Sequence, residues 1–261
     1  MVYRSGDRPP GLSAGQSLRL LMRITVFLLL AVTIPLALFA GGCADGIARG
    51  KAEKEIVRVL PEIIGPAESY QVKVDGSAAS LLKGELQGVR ITGSNVRPEG
   101  LPRLARLEAS ASQVKVDTRT YRILSAGQAH WKGWLDEEEL TALLRDRVPY
   151  LRDISVRVTV GHIEATGRAA YGPVGASGSV RAVPAVRNGR EIWLVPRHVS
   201  ALGLGAQVPQ WAGERVADII NPVYVLPAER LPLTLERIAT EPALLRLEGS
   251  LDVTRLTAPR Q

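Results

Sequence analysis

One long uncharged apolar run, over residues 24–42, divides the chain into two unequal parts. A helix needs about 18 or more predominantly apolar residues to span a bilayer. Four arginines and one aspartate precede the run, so the first 23 residues carry +3 of the chain's net charge of +7. Positive segments stay on the cytoplasmic side of a membrane. We therefore expect residues 1–23 inside and everything after Cys43 on the extracytoplasmic face of the cytoplasmic membrane.

Three interpretations of the apolar run are open. It is longer than the roughly 7–15 apolar residues of a secretory signal, which favours an uncleaved transmembrane anchor. The motif FAGGC at residues 39–43 is instead similar to a bacterial lipobox, although Ala40 stands where such boxes usually carry leucine. In that interpretation Cys43 is the lipidation candidate. The third interpretation is a buried core helix, and the basic flank argues against it.

The composition after the run excludes several classes of protein. Cys43 is the only cysteine, so the chain has no internal disulfide framework and no thiolate metal site. The net charge beyond the tail is about +4 without a block of lysines and arginines, so we expect no nucleic-acid partner. Both phenylalanines, Phe27 and Phe39, lie in the apolar run. The remaining apolar residues are largely aliphatic, a composition that favours strands.

The period of the apolar residues changes along the first half of the domain. A period near 3.6 over residues 44–64 predicts a helix, which Gly65-Pro66 ends. Alternation with a period of two then predicts strands, because alternate side chains of a strand lie on opposite faces. These strands cover residues 70–74, 86–96, 104–117 and 121–131.

A second helix is predicted over residues 136–147. Asp136 is a favourable N-cap, and Glu139 stands three residues later at the capping-box position. The four acidic residues 136–139 have two interpretations, a cation site or charges that complement the helix dipole. We favour the dipole interpretation.

The second half of the domain reads as further strands and turns. Residues 154–166 alternate, with a register shift after Gly161 that indicates a bulge. Residues 172–178 are predicted to be a glycine-rich turn. Asn188-Gly189 between two alternating runs predicts a tight hairpin. We also expect a helix over residues 208–220 and a final strand pair over residues 231–238 and 243–253.

Strand candidates follow one another through turns rather than helices, so the sheet should be largely antiparallel. The expected fold class is α+β, mostly β. Because several strand candidates are long, we expect one long curved antiparallel sheet that wraps a helix.

The order of these elements resembles the LmeA-type phospholipid-binding family over roughly residues 45–256. Four stretches carry the resemblance: SLLKGELQGVRITG at 80–93, GWLDEEELTALL at 133–144, the glycine-separated strands at 156–199, and Asn221-Pro222 followed by LPLTL at 231–235 and a closing strand. The resemblance implies a tubular lipid-binding (TULIP-like) domain with an apolar cavity or groove. It carries over no catalytic signature.

Seven aliphatic residues at alternating strand positions are candidates for the lipid-facing side of the sheet. They are Val89, Ile91, Val114, Val116, Val156, Val158 and Val160. Alternation alone does not separate a lined cavity from packed core, so core is the competing interpretation for each of them.

Enzyme motifs are not found in the sequence. The three histidines, His130, His162 and His198, share no motif, and H-E-x-x-H, G-x-S-x-G and P-loop patterns do not occur. We therefore expect no catalytic, cofactor or metal site.

The leading hypothesis is non-catalytic binding of phospholipid, or of a lipid-linked glycan, by a membrane-attached protein. It divides the chain into a basic tail or signal region (1–23), an anchor or lipoprotein signal (24–43), a lipid-binding domain (44–256) and a short tail (257–261). The competing hypotheses are an envelope scaffold or adaptor without a lipid cavity, and a hydrolase whose serine, histidine and carboxylate meet only in space.

Overall fold

The structure is a computed structural model. It describes residues 44–117, 123–149, 151–171, 174–202, 215, 217–227 and 232–252. The apolar run at 24–42, Cys43 and most of the helix predicted over 208–220 lie outside the described residues. None of the described helices is both long and apolar enough to span a bilayer.

Three helices and twelve strands with defined bounds follow one another along the described chain. They are α1 (Ala44–Ile63), β1 (Ser69–Asp75), α2 (Ala78–Leu82), β2 (Glu85–Val96), β3 (Leu104–Val116), β4 (Ile123–Ser125), β5 (Ala129–Asp136), α3 (Glu137–Arg147), β6 (Leu151–Thr159), β7 (His162–Tyr171), β8 (Val174–Arg187), β9 (Glu191–Leu202), β10 (Tyr224–Val225), β11 (Leu233–Glu241) and β12 (Leu244–Leu251). Residues 217–220, before β10, are also helical. The mostly β, antiparallel class predicted from the alternation is confirmed.

The strands form two antiparallel sheets rather than the single sheet expected. Sheet A has seven strands in the order β1-β2-β3-β5-β12-β11, with β4 paired to β3. Sheet B has five strands in the order β10-β9-β8-β7-β6. Residues 121–131 were predicted as one strand, but they contain the separate strands β4 and the start of β5.

The main hydrophobic core lies between the two sheets and around α3. Leu135 and Leu245 of sheet A, Ile163 of sheet B and Leu140 and Leu144 of α3 are all buried in it. The apolar side of α3 therefore faces sheet B. A second, smaller core of Leu60, Val72, Val74 and Leu81 lies where α1 and α2 pack against β1 and β2.

Two turns of sheet B differ from the sequence prediction. Val160-Gly161 is a two-residue turn that joins β6 to β7, with Gly161 at φ 89°, so the predicted bulge after Gly161 is wrong. The bulge of this hairpin lies instead between Arg152 and Ser155, where Asp153 has φ 53°. The predicted glycine-rich turn is also wrong for residues 174–178, because β8 already begins at Val174.

The hairpin predicted from Asn188-Gly189 is confirmed. Both residues have positive φ, 52° and 63°, and they join β8 to β9. Positive φ at both central positions matches the right-handed twist of paired strands, and asparagine and glycine adopt it at low cost.

The outer edge of β9 is covered by the segment before and within β10. The buried side chain of Asn221 accepts a hydrogen bond from Leu194 N (2.7 Å) and donates one to Leu194 O (2.8 Å). Farther along, the backbone N–H of Val223 donates to Ile192 O (2.9 Å) and that of Leu226 donates to Arg190 O (2.9 Å). The polar groups of this edge from Arg190 to Leu194 are thereby paired within the chain.

Candidate functional site

An apolar cavity of about 250 Å3 lies between the inner face of sheet B and the C-terminal half of α3. Leu144 and Val148 form its helix side, and Ile220 contributes from the segment before β10. The sheet contributes the remaining lining residues: Leu151, Ile154, Ile163, Ala165, Thr166, Gly167, Ser177, Gly178, Ser179, Val180, Ala182, Leu194, Val199 and Ser200.

Paired glycines provide the space for this cavity. Gly167 of β7 and Gly178 of β8 are register partners, so two side chains are missing at one place on the inner face. A Cβ built on Gly167 would meet Ile154 Cγ1 at 3.7 Å and Leu151 Cδ1 at 3.9 Å, which are ordinary van der Waals distances. Glycine inside a strand often marks a place where a ligand or another chain segment approaches closely.

The hydroxyl side chains near the cavity point away from it. Successive side chains of a strand alternate between its faces. Thr166, Ser177 and Ser179 are each adjacent in sequence to Gly167 or Gly178, so their side chains lie on the opposite face of sheet B. There the hydroxyls of Ser179 and Ser200 form a hydrogen bond of 2.7 Å. The cavity walls are therefore suited to hydrocarbon rather than to polar chemistry.

The helix side of the cavity is held in place by the acidic residues at the start of α3. Asp136 accepts the cap hydrogen bond from Glu139 N (2.9 Å). It also forms an ion pair with Arg103, in which Nη2 lies 2.7 Å from the Asp136 carboxylate. Glu137 Oε1 accepts from the backbone N–H of Val158 in β6 (2.7 Å). The predicted N-cap is confirmed, and these carboxylates bind the helix to its neighbours.

None of the seven predicted lipid-facing residues lines this cavity. Val156 and Val158 are buried in the main core, toward the other end of β6. Val160 is 73% exposed in the turn between β6 and β7. Val114 and Val116 are buried near the end of β3. Whether any of them contacts lipid stays a prediction.

Val89 and Ile91 lie in a different apolar environment. Both are half-buried at the margin of the smaller core, and their register partners on β3 are Ala111 and Ala109, also half-buried. We call these four residues the alanine patch. It is a second apolar surface, on sheet A.

The sequence interpretation missed both glycines, because Gly178 was assigned to a turn and Gly167 follows the end of the strand predicted over residues 154–166. Glycines spaced along two extended segments that pair in a hairpin are the signal that could have revealed them.

The tyrosines with raised pKa values lie away from the cavity. Burial raises the pKa of Tyr70 to about 12 and raises the pKa of Tyr224. The part of the chain that the structure describes contains no cluster of three or more metal-ligating side chains.

The family model described as LmeA-like phospholipid-binding matches residues 43–250 of the chain. This range contains both sheets, α3 and nearly all of the described residues. Neither a curated protein nor a solved structure matches the chain. The match covers most of the sequence, and the chain belongs to the LmeA-like phospholipid-binding family.

Proposed function

We propose that the protein binds phospholipid without chemically converting it, and that part of one acyl chain occupies the cavity under sheet B. The observation that carries the proposal is the apolar cavity at the paired glycines, in a chain of a phospholipid-binding family. Its volume of about 250 Å3 is slightly below the roughly 300–1,000 Å3 of small-molecule sites. It therefore suits a section of one acyl chain rather than a whole lipid.

The arrangement also supports a tubular lipid-binding domain as the working unit. The helix α3 packs along β6 of sheet B and is fixed to it by the hydrogen bond from Val158 N to Glu137 Oε1. A helix held at a constant distance from a curved sheet keeps an apolar gap open without requiring bound lipid. The alanine patch offers a second place where acyl chains could lie against sheet A.

We propose further that the domain of residues 44–256 works at the outer face of the cytoplasmic membrane, tethered by residues 24–43. The support is the apolar run and its basic flank. Radiolabelled fatty acid incorporated into the wild type and lost in Cys43→Ala would establish lipidation. Absence of label, with residues 1–23 still attached to the purified protein, would establish an uncleaved anchor.

Native mass spectrometry of the full-length protein tests lipid binding directly. The protein is purified in mild detergent and incubated with phosphatidylglycerol, and we expect a bound species of one lipid mass above the protein. Absence of any copurified or added lipid would refute the proposal. That result would favour the alternative of an envelope scaffold, which would use the alanine patch as a protein contact. The same assay is run separately with phospholipid and with a lipid-linked glycan.

A further inference from the structure

Two arginines of sheet B stand directly opposite each other next to the cavity. Arg152 of β6 is the register partner of Arg168 of β7, and both side chains are exposed. Directly opposed residues of antiparallel strands have Cβ atoms roughly 4.5–5.5 Å apart, and like charges there destabilise the pair. Within the described ranges, neither guanidinium has a carboxylate at salt-bridge distance. The two positive charges of the pair are therefore not balanced by a carboxylate among the described residues.

Two other arginines on the same face of sheet B stand next to a carboxylate. Glu164 of β7 lies between Arg157 and Arg181, which are its register partners on β6 and β8. Arg181 Nη2 lies 3.6 Å from Glu164 Oε1. Sheet B thus alternates charge where a carboxylate stands between two arginines, but it places arginine opposite arginine beside the cavity.

The arginine pair lies next to the cavity along the strands, but on the opposite face of sheet B. Leu151 and Gly167, the chain neighbours of Arg152 and Arg168, both line the cavity. The backbone oxygen of Arg152 lies 3.8 Å from the position that a Cβ on Gly167 would occupy. β6 is the edge strand of sheet B, so the described chain places no further strand of this sheet beyond it.

Arg152 and Arg168 lie on the same face as Ser177, which is the face of sheet B opposite the cavity. Farther along β6, Val156 N and Val158 N donate to Thr141 and Glu137 of α3, so the helix covers that part of the edge. A lipid with its acyl chain in the cavity would therefore bring its polar end to the pair past the start of β6, beside Arg152.

A hydroxyl extends the same set of donors. Ser177 of β8 is the other register partner of Arg168, so both side chains lie on one face of the sheet. Guanidinium groups bind phosphate through two parallel N–H donors, with fixed geometry. Two guanidinium groups and one hydroxyl make a suitable donor set for a phosphate group.

We propose that Arg152 and Arg168 bind the phosphate of a net-anionic phospholipid headgroup while an acyl chain of the same molecule enters the cavity. The inference rests on the proposed lipid binding and adds the class of lipid. A zwitterionic headgroup is disfavoured, because it would place a further positive group beside two guanidinium groups.

The test measures lipid choice in the full-length protein. Wild type and variants, in mild detergent, receive an equimolar mixture of phosphatidylglycerol and phosphatidylcholine with identical acyl chains. Native mass spectrometry gives the ratio of the two bound lipids. The double variant Arg152→Gln/Arg168→Gln is compared with Arg157→Gln/Arg181→Gln, which removes the same two charges from the same sheet face. Thermal unfolding verifies that both variants fold.

We expect the wild type and the Arg157/Arg181 control to prefer phosphatidylglycerol. In the Arg152/Arg168 variant the ratio of bound phosphatidylglycerol to bound phosphatidylcholine should be about tenfold lower, which corresponds to about 1.4 kcal/mol. Equal losses in both double variants would overturn the proposal, because a general effect of net charge would explain them. An unchanged ratio in the Arg152/Arg168 variant would overturn it as well. A wild type that binds both lipids equally refutes this inference alone, whereas a wild type that binds neither refutes the proposed function.

Inorganic phosphate distinguishes the headgroup from a soluble anion. It is titrated into the lipid-free wild type and the Arg152/Arg168 variant, with binding followed by calorimetry. We expect no calorimetric binding at millimolar concentration, because the acyl chain contributes the larger part of the affinity. Phosphate binding that depends on the arginine pair, together with an unchanged lipid ratio in the variant, would assign the pair to a soluble anion and overturn the headgroup assignment.

Discussion

Replacing Gly167 by leucine should stabilise the lipid-free protein and, at the same time, prevent lipid binding. The new side chain would start where a Cβ meets Ile154, Arg152 and Leu151 at 3.7–3.9 Å, all ordinary contact distances. It would then extend into the cavity of about 250 Å3 that the proposed acyl chain occupies. A packed core at this place would give the opposite result, because added carbon atoms would then overlap their neighbours.

The size of the stabilisation follows from the carbon atoms that become buried. Each buried methylene contributes about 0.8 kcal/mol, so four carbons give about 3 kcal/mol. Fixing the leucine side chain costs about 0.5–1 kcal/mol. Replacing glycine inside a strand adds about 0.5–1 kcal/mol, because the unfolded chain loses freedom. Allowing for imperfect packing, we expect a net gain of about 2 kcal/mol in the free energy of unfolding. For a domain of about 200 residues this raises Tm by about 4–8 °C.

Two assays on the same protein preparations test the expected stabilisation and the expected loss of lipid binding. Thermal unfolding of lipid-free protein gives the change in Tm, and native mass spectrometry with phosphatidylglycerol gives the fraction bound, which should fall at least about tenfold. Gly133→Ala is the matched control, since a Cβ on this buried strand glycine would meet Leu104 Cδ2 at 3.2 Å. We expect the control to lose stability and keep lipid binding. A Gly167→Leu protein that is destabilised, or that binds lipid as the wild type does, would refute the assignment of the cavity.

Two further predictions concern how the sheets and helices are held together. Asp136→Ala should lower the free energy of unfolding by about 2 kcal/mol in chemical denaturation, because it removes both the helix cap on Glu139 N and the ion pair with Arg103. Asp136→Asn, which keeps a capping oxygen, should lose about half as much, and equal losses would contradict the cap. Tyr70 has its pKa raised by burial to about 12, against a usual value near 10, and its hydroxyl donates to Gly65 O (2.8 Å). The contribution of protonated Tyr70 to the free energy of unfolding is complete below about pH 10. It decreases as the pH rises toward 12, because the hydroxyl loses its proton more easily in the unfolded chain. Urea denaturation across this interval should show a decline that is smaller in Tyr70→Phe; identical pH profiles would show that other groups cause it.

The sequence predicted those parts of the fold that depend on local chemistry. The Asn188-Gly189 hairpin and the Asp136 cap both formed as expected, because in each case one or two residues determine the backbone conformation. The division into two sheets could not be predicted in this way. Strand partners are chosen by contacts between distant residues, such as those of β5 with β12, and a period of two is the same whichever sheet a strand joins.

The candidate site was predicted as a class of surface but not as particular residues. Alternation identified Val156 and Val158 as inward-facing, and both are buried, but beside the first half of α3 they belong to the packed core. The cavity lies farther along the same sheet, where Gly167 and Gly178 come together. An absent side chain gives no hydrophobic signal, so the space it leaves follows only from the strand register.

Asn221 has a consequence for the behaviour of the protein at high concentration. An exposed strand edge offers free N–H and C=O groups to any other extended chain, and this is a common route to aggregation. The side-chain amide of Asn221 occupies the N–H and C=O of Leu194 as a neighbouring strand would. Without that amide, the edge of β9 could recruit the same edge of a second copy. A single buried side chain thus helps to protect this strand edge from pairing with another chain.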